Sequence, residues 1–280
     1  MNFDDIEIVI SDLDGTLLLL PSAEISDSNI SVFHDLGRAG ICRVIATGRS
    51  LYSAQKVIPE DFPIDYLIFS SGAGVYDRSS NEIIRTIDLD ADKVKHAAEV
   101  LISVDVDFSI QFTIPDNHKF IYYSTGRENP DFKRRLDLYR KFAKPMDTDK
   151  IDNIAACQLI AILPDDPVLF ENIKKRIKGL KVIRSTSPLD GRSIWMEVFS
   201  PLVSKAKSIE WLCTRNNINM DLSVGVGNDY NDLDMLTWTS DSYVVSNAPE
   251  ELRQRFKVVE NSDNKGFSRA MKIIADGTGY

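Results

Sequence analysis

Two aspartates one residue apart, Asp12 and Asp14, follow a short apolar run at residues 6–10 and lead into Gly15 and Thr16. Carboxylates crowded this closely repel each other and need a cation or a shared proton to coexist. One member of such a pair can attack an electrophile while the other moves a proton. Asp and Gly are also ordinary turn formers, so Asp-x-Asp-Gly alone serves equally well as a turn closing a strand. Three further features bear on the choice. They are Thr47-Gly48-Arg49 after a second apolar run, Lys205 within Pro-Leu-Val-Ser-Lys-Ala, and the loop Gly227-Asn228-Asp229-Tyr230-Asn231-Asp232.

These residues need a frame that brings them together. Residues 6–10 are β-branched and apolar apart from Glu7, the pattern of a strand buried on both faces. Ser26 is placed to cap a helix over 27–39, stopped by Gly40. Residues 41–46 and 65–69 give two more strands, the last followed by Ser70-Ser71-Gly72-Ala73-Gly74. This alternation predicts a parallel, doubly wound sheet, in which ligands sit outside the carboxyl ends of the strands. Residues 74–86 read as a hairpin. From 88 to 188 the order changes to helix (91–102), strands (108–112, 119–123), helix (130–142), strand (155–163), helix (166–177) and strand (181–185). The winding resumes with strands at 194–199, 222–226, 242–245 and 256–259, and helices at 204–216, through Leu236 and at the C-terminus. The expected fold class is α/β: a Rossmann-like doubly wound parallel sheet core, residues 1–87 and 189–280, with an inserted α+β cap domain at 88–188.

Composition narrows the function classes. A chain of 280 residues has room for two modest cores. A net charge of −9 with no long basic run argues against nucleic acid and acidic membranes as partners, but not against a small anion. No basic leader precedes the first strand, and no apolar run approaches the ~20 residues that span a bilayer. Cys42, Cys157 and Cys213 are odd in number and widely spaced, which fits reduced thiols in a cytoplasmic protein better than a disulfide frame or a zinc site.

Asp-Leu-Asp-Gly-Thr, a hydroxyl residue after the second strand, a later lysine and a Gly-Asn-x-x-Asn-Asp loop together resemble the haloacid dehalogenase superfamily. The Cof-like branch, phosphatases with a large α/β cap inserted after the third strand, is the most similar. The resemblance runs the length of the chain and implies a Mg2+-dependent phosphatase acting on a small phosphorylated metabolite, a sugar phosphate first. The residues suit that chemistry. A phosphomonoester dianion repels nucleophiles, so its hydrolysis needs charge neutralisation and alignment. Asp12 would attack phosphorus to form an aspartyl-phosphate, and Asp14 would protonate the leaving oxygen and then take a proton from water. Thr16, Thr47, Gly48, Arg49, Lys205 and Asn231 are the candidate phosphate and substrate contacts. Thr47 is equally a generic helix N-cap, and Arg49 a generic surface cation. Asn231 resembles the loop asparagine that orients phosphate or Lys205. Asp12, Asp14 through its backbone carbonyl, Asn228 and Asp232 are the candidate metal ligands.

One position departs from the pattern. The family usually has Asp directly after the loop glycine; here it is Asn228, which can ligate through its amide oxygen but brings no charge. Three arrangements are open: Asn228 as ligand with Asp232 in support, Asp229 in its place, or Asp232 binding directly. The first is preferred. An EF-hand reading fails, because the loop lacks Gly at its sixth position and Glu at its twelfth. His34, His96 and His118 read as surface or packing residues, Lys133-Arg134-Arg135 as a solvated helix face, and Trp195, Met196 and Phe199 as sheet core with Glu197 facing a cleft. Two rivals to a phosphatase are a sugar-phosphate phosphomutase and a non-catalytic phosphate-ligand binding protein, the latter motivated by Asn228.

Overall fold

The structure, a computed structural model, describes residues 3, 5–19, 24–147, 151–261 and 265–276. The leader reading rests partly on Met1, Asn2 and Asp4, which lie outside the described residues. In chain order the elements begin with β1 (Ile8–Ser11), the ribbon β2 (Leu18–Leu19) and β3 (Glu24–Ile25), α1 (Asp27–Arg38), β4 (Cys42–Ala46), α2 (Leu51–Ala54), β5 (Tyr66–Phe69), β6 (Gly74–Asp77) and β7 (Glu82–Thr86). There follow α3 (Ala91–Ser103), β8 (Phe108–Gln111), β9 (Phe120–Tyr123), α4 (Pro130–Leu138), β10 (Ala143–Pro145), β11 (Gln158–Leu163), α5 (Pro167–Lys174), β12 (Lys181–Thr186) and β13 (Ile194–Phe199). The chain closes with α6 (Lys205–Asn216), β14 (Ser223–Gly227), α7 (Leu233–Trp238), β15 (Asp241–Val245), α8 (Glu250–Arg253), β16 (Lys257–Val259) and α9 (Gly266–Ala275).

Contacts divide the chain into two compact units, Met1–Arg85 with Ser204–Tyr280, and Thr86–Val203. The first is built on an eight-stranded sheet of order β16-β15-β14-β1-β4-β5-β6-β7. Pairing is parallel from β16 to β5 and antiparallel between β5 and β6. Ile8, Val9 and Ile10 of β1 are fully buried. At about 1.5–3 kcal/mol for each apolar side chain removed from water, this strand anchors the unit. Ile8 and Ile10 join Val44, Ile68, Ile209, Leu212, Met235 and Val244 in one core cluster. Elsewhere in the unit Phe33 of α1 stacks on Phe267 of α9 at 4.7 Å. Ser26 caps α1 by accepting the Asn29 N–H, and Gly40, at φ 77°, ends that segment as expected. Because β4 lies on one side of β1 and β14 on the other, the loops leaving β1 and β14 face the topological switch point of the sheet.

The second unit holds a six-stranded sheet, β10-β9-β8-β11-β13-β12, antiparallel except where β10 meets β9. α3 and α5 contribute to its apolar core, with Val94, Ala97, Leu101, Phe170 and Ile173 among Leu159, Ala161, Met196 and Val198. Here the strand at 194–199 departs from expectation. It pairs antiparallel with β11 and β12 instead of joining the parallel core. Its six residues are all buried, which reads like a parallel core strand, but the short link from Thr186 allows only antiparallel return. The unit therefore ends at Val203 rather than at 188.

Arg135 is a second correction. Lys133 and Arg134 are exposed, but Arg135 is buried, its guanidinium 5.0 Å from the Phe120 ring, 5.2 Å from Tyr139 and 4.9 Å from Trp195. Successive residues on a helix turn by about 100°, so three adjacent cations do not share one face. The remaining residues set aside in the sequence are placed simply. His34 and His96 are exposed on their helices, and His118 packs edge-on against Phe142. Glu197 is buried and accepts the Ser185 hydroxyl at 2.7 Å. Burial, with Asp65 adding to it, pushes the Cys42 thiol up to about 12, and burial pushes Cys213 up to about 11, so both stay protonated and inert at neutral pH.

Candidate active site

The β1 carboxyl end fixes Asp12 through its backbone. The Asp12 N–H donates to the Val226 carbonyl at 2.8 Å, and the Ser11 hydroxyl donates to the Asp12 carbonyl at 2.8 Å. The chain then turns sharply. Leu17 and Leu18 N–H groups both reach the Leu13 carbonyl, at 3.0 and 2.8 Å, and Gly15 N–H reaches the Leu18 carbonyl at 2.7 Å. Gly15 sits at φ 82°, and a Cβ there would lie 2.4 Å from the Asn228 Nδ2. Only glycine meets both conditions.

Across from Asp12, β14 ends in the Gly227–Asp232 loop. Asp232 staples that loop shut, its Oδ2 accepting the N–H of Asn228 at 2.8 Å and of Asp229 at 3.0 Å. Gly227 makes room, since a Cβ on it would meet the Asp232 carboxylate at 2.7 Å. Lys205 arrives on the first turn of α6, whose N-cap Ser204 accepts the Lys207 N–H at 3.3 Å and donates to Asp234 at 2.5 Å. Its Nζ lies 2.8 Å from Asp12 Oδ1 and 2.5 Å from Asp232 Oδ1, with all three side chains at most 5% exposed. Burial first, and then Asp232, hold the Asp12 carboxyl well above the usual carboxylate range, although Lys205 pulls it down. Burial opposes the charge on Lys205, but Asp12 and Asp232 outweigh it and raise its affinity for the proton. Two buried carboxylates thus share one ammonium.

Arg49 grips Asp14 in a two-point fork, Nε to Oδ2 at 2.8 Å and the second guanidinium nitrogen to Oδ1 at 2.7 Å. The fork occupies one lone pair on each Asp14 oxygen. Thr47 is fully buried and accepts the Arg49 N–H at 3.1 Å. It is not a helix cap: Ser50 caps α2, a single four-residue turn that starts four residues after Thr47. The expected helix N-terminus at Thr47 and Gly48 is therefore a tight turn. Thr16 donates to Asn228 Oδ1 at 3.2 Å, tying the first loop to the second. Asn231 is half-buried in the turn ending at Asp232, but Lys205 is oriented by Asp12 and Asp232, not by Asn231.

Asp232 offers one oxygen to Lys205 and the other to the two loop amides. Among the described residues no three His, Cys, Asp or Glu side chains converge on a metal position. A divalent cation would need a mixed oxygen set. Asp12, Asn228 and the backbone of the Asp14 turn could supply that chemistry, hard oxygen donors next to two buried carboxyl groups that share one lysine.

Two groups of site residues had no motif to announce them. Asn247 and Asn261 both donate to the Gly15 carbonyl, at 3.1 and 3.2 Å, and brace the acidic turn from outside. Ser70 and Ser71 donate their N–H groups to the carbonyls of Arg49 and Thr47, at 2.7 and 3.0 Å. Ser-Ser-Gly after a strand was a visible turn signal, but its partners were not.

Over residues 9–271 the sequence matches the haloacid dehalogenase-like hydrolases. The chain belongs to that family. A curated relative, the 5-amino-6-(5-phospho-D-ribitylamino)uracil phosphatase YwtE of Bacillus subtilis, is 24% identical over 95% of this chain and 97% of its own. Among solved structures, a phosphatase of the superfamily from Bacteroides thetaiotaomicron superposes with a TM-score of 0.77 at 21% identity, covering 96% of this chain and 95% of its own. A subclass IIB sugar phosphatase gives 0.76 at 18% identity, over 95% and 98%. At these identities the structural likeness shows the fold: an α/β core with a parallel sheet and an inserted second unit. Among the described residues no helix is long and apolar enough to cross a membrane.

Proposed function

We propose that this member of the family is a Mg2+-dependent phosphatase that hydrolyses a small phosphomonoester, a sugar phosphate by preference, through an aspartyl-phosphate on Asp12. The single observation that carries the reading is Asp12 itself. It is a buried carboxylate at the carboxyl end of the central strand, held by Lys205 and beside the strand that leads into the Gly227–Asp232 loop. Asp12, the Asp14 backbone carbonyl and Asn228 would hold the cation, with Asp232 in support. When bound, it supplies positive charge against the phosphoryl oxygens and the Asp12 carboxylate.

The chain's own groups do the rest. Lys205 fixes the orientation of the Asp12 carboxylate and brings one charge toward the phosphoryl group. Asp12 attacks phosphorus as the ester bond breaks, and the leaving oxygen takes its proton from Asp14. Asp14 then removes a proton from the water that cleaves the acyl phosphate, returning Asp12 to its starting state. Arg49 keeps the Asp14 carboxyl in place, its fork taking only one lone pair on each oxygen, and the phosphate would offer that fork a second bidentate partner. The Thr47 turn holds the backbone of Arg49. The preference for sugar phosphates is supported by the names of the related phosphatases.

Phosphate release from a panel of phosphomonoesters, with and without Mg2+, tests the reading with wild type beside Asp12→Asn. Metal-dependent release that disappears in the variant is expected. Isomer formation without free phosphate would replace the phosphatase with a mutase, and activity surviving in Asp12→Asn would remove the nucleophile.

A further inference from the structure

Three consecutive residues after β5 adopt left-handed backbone, with φ of 50° at Ser70, 55° at Ser71 and 102° at Gly72. L-residues avoid this region because Cβ crowds the following carbonyl oxygen, and Ser is not among the types enriched there. Both serines are nonetheless fully buried. Strained backbone of this kind persists only where its surroundings over-determine it.

The surroundings here are the two cationic arms of the site. Ser70 and Ser71 point their N–H groups at the Arg49 and Thr47 carbonyls, at 2.7 and 3.0 Å. On the other side the Ser208 hydroxyl donates to the Gly72 carbonyl at 2.9 Å. A Cβ on Gly72 would meet the Ser204 carbonyl oxygen at 2.3 Å and the Lys205 nitrogen at 3.0 Å. One three-residue segment therefore abuts the Thr47–Arg49 turn and the start of the Lys205 helix at once. With Ser71 in an ordinary negative-φ conformation, its N–H would turn away from Thr47, and the turn would lose a strut.

We propose that Ser70-Ser71-Gly72 is a positioning segment that sets Thr47 and Arg49 against the Lys205 helix, and that it acts through the left-handed backbone of Ser71. The inference rests on the reading of Thr47 and Arg49 as phosphate-binding groups.

Three substitutions separate conformation from hydroxyl. Gly and Asn tolerate left-handed backbone, whereas Thr keeps the hydroxyl but is β-branched and strongly disfavoured there. Ser71→Gly and Ser71→Asn are expected to keep kcat/KM within about threefold of wild type, while Ser71→Thr loses on the order of 10²-fold, as for a misplaced substrate-positioning group. The Ser71→Thr loss should shrink sharply in an Arg49→Ala background, because both changes act through the same guanidinium. A role confined to stability would lower Tm and leave that coupling at zero. Activity in Ser71→Thr with loss in a folded Ser71→Gly or Ser71→Asn would overturn the proposal, as would equal losses in both backgrounds. Should Ser71→Thr fail to fold, the Gly and Asn variants still decide.

If wild type releases no phosphate from any ester, the phosphatase reading fails but the segment remains testable. The Nε–H resonance of Arg49, assigned by its loss in Arg49→Lys, should stay in place in Ser71→Gly and move in Ser71→Thr. An unmoved resonance in folded Ser71→Thr would contradict the proposal.

Discussion

Lys205, Asp12 and Asp232 form a cluster whose side chains are at most 5% exposed, whereas the Arg49 and Asp14 side chains, beginning only two residues past Asp12, are 21% and 26% exposed. The bonds are alike, charge-assisted and 2.5–2.8 Å long. Their worth is not. Removing one partner of a buried pair strands a charge in low dielectric and costs about 3–5 kcal/mol. A pair that solvent reaches is screened and worth less, although a bidentate fork such as Arg49–Asp14 stands at the upper end of the roughly 0–1 kcal/mol typical of surface pairs. The first cluster thus holds Asp12 rigidly, and the second, reached by solvent, is the looser of the two. Under the proposed mechanism, the acid–base role falls to Asp14 in the second, looser pair.

The largest test of this contrast is Lys205→Met. It leaves Asp12 and Asp232 buried together without a cation, so activity should vanish and stability in denaturant titration should fall by about 3–5 kcal/mol. A loss under about 1 kcal/mol would mean the cluster is no better buried in effect than Arg49–Asp14.

Asp12→Asn should act in the opposite direction on stability while abolishing turnover. Asp12 titrates above the usual carboxylate range in the folded state, so the native protein binds its proton more tightly than the unfolded chain does. Stability without metal therefore falls as pH rises through the window between the ordinary and the raised value, and above it the ionised carboxylate carries the full penalty. Each unit of upward shift corresponds to about 1.4 kcal/mol. The variant should be the more stable protein at neutral pH, with the gap closing as pH is lowered through that window. Denaturant midpoints across a pH series measure it, and a gap that widens toward acid would contradict the account.

Arg49→Ala probes the exposed pair. Unfolding free energy should change by no more than about 1 kcal/mol, while kcat/KM falls by about 10²-fold through loss of a phosphate-directed donor. A stability loss comparable to that of Lys205→Met would erase the distinction. The smallest expected effect is that of Asn228→Asp. An added carboxylate facing Thr16 should lower the Mg2+ concentration needed to raise Tm by on the order of tenfold, since ligand charge sets affinity for hard cations. Unchanged Mg2+ protection would remove Asn228 from the cation's reach.

The sequence made the parallel core legible because its strands are short β-branched runs ending in turn residues, and because the acidic turns fall at the ends of β1 and β14. Other features depended on partners far away in the chain. Residues 194–199 look like a core strand by composition, and only pairing with β11 and β12 reassigns them. Arg135 sits in a basic run whose helical phase turns it inward against three rings. Asp232 is expected in support of Asn228, and what its motif does not tell is that its oxygens reach Lys205 and two loop amides. Thr47 and Gly48 are expected at a helix N-terminus, with a cap as the rival role for Thr47, yet the helix starts at Leu51. In each case residue type was informative and direction was not, because direction follows from what packs against the side chain.

The central claim is that Asp12 takes the phosphoryl group on its own carboxylate. Acid quench of wild type during turnover of the best phosphomonoester, followed by mass spectrometry of the peptide containing Asp12, tests it most directly. The account predicts a phosphorylated Asp12 peptide that is absent from Asp12→Asn. Phosphate release in wild type with no phosphorylated peptide at any quench time, or turnover by Asp12→Asn, would contradict it.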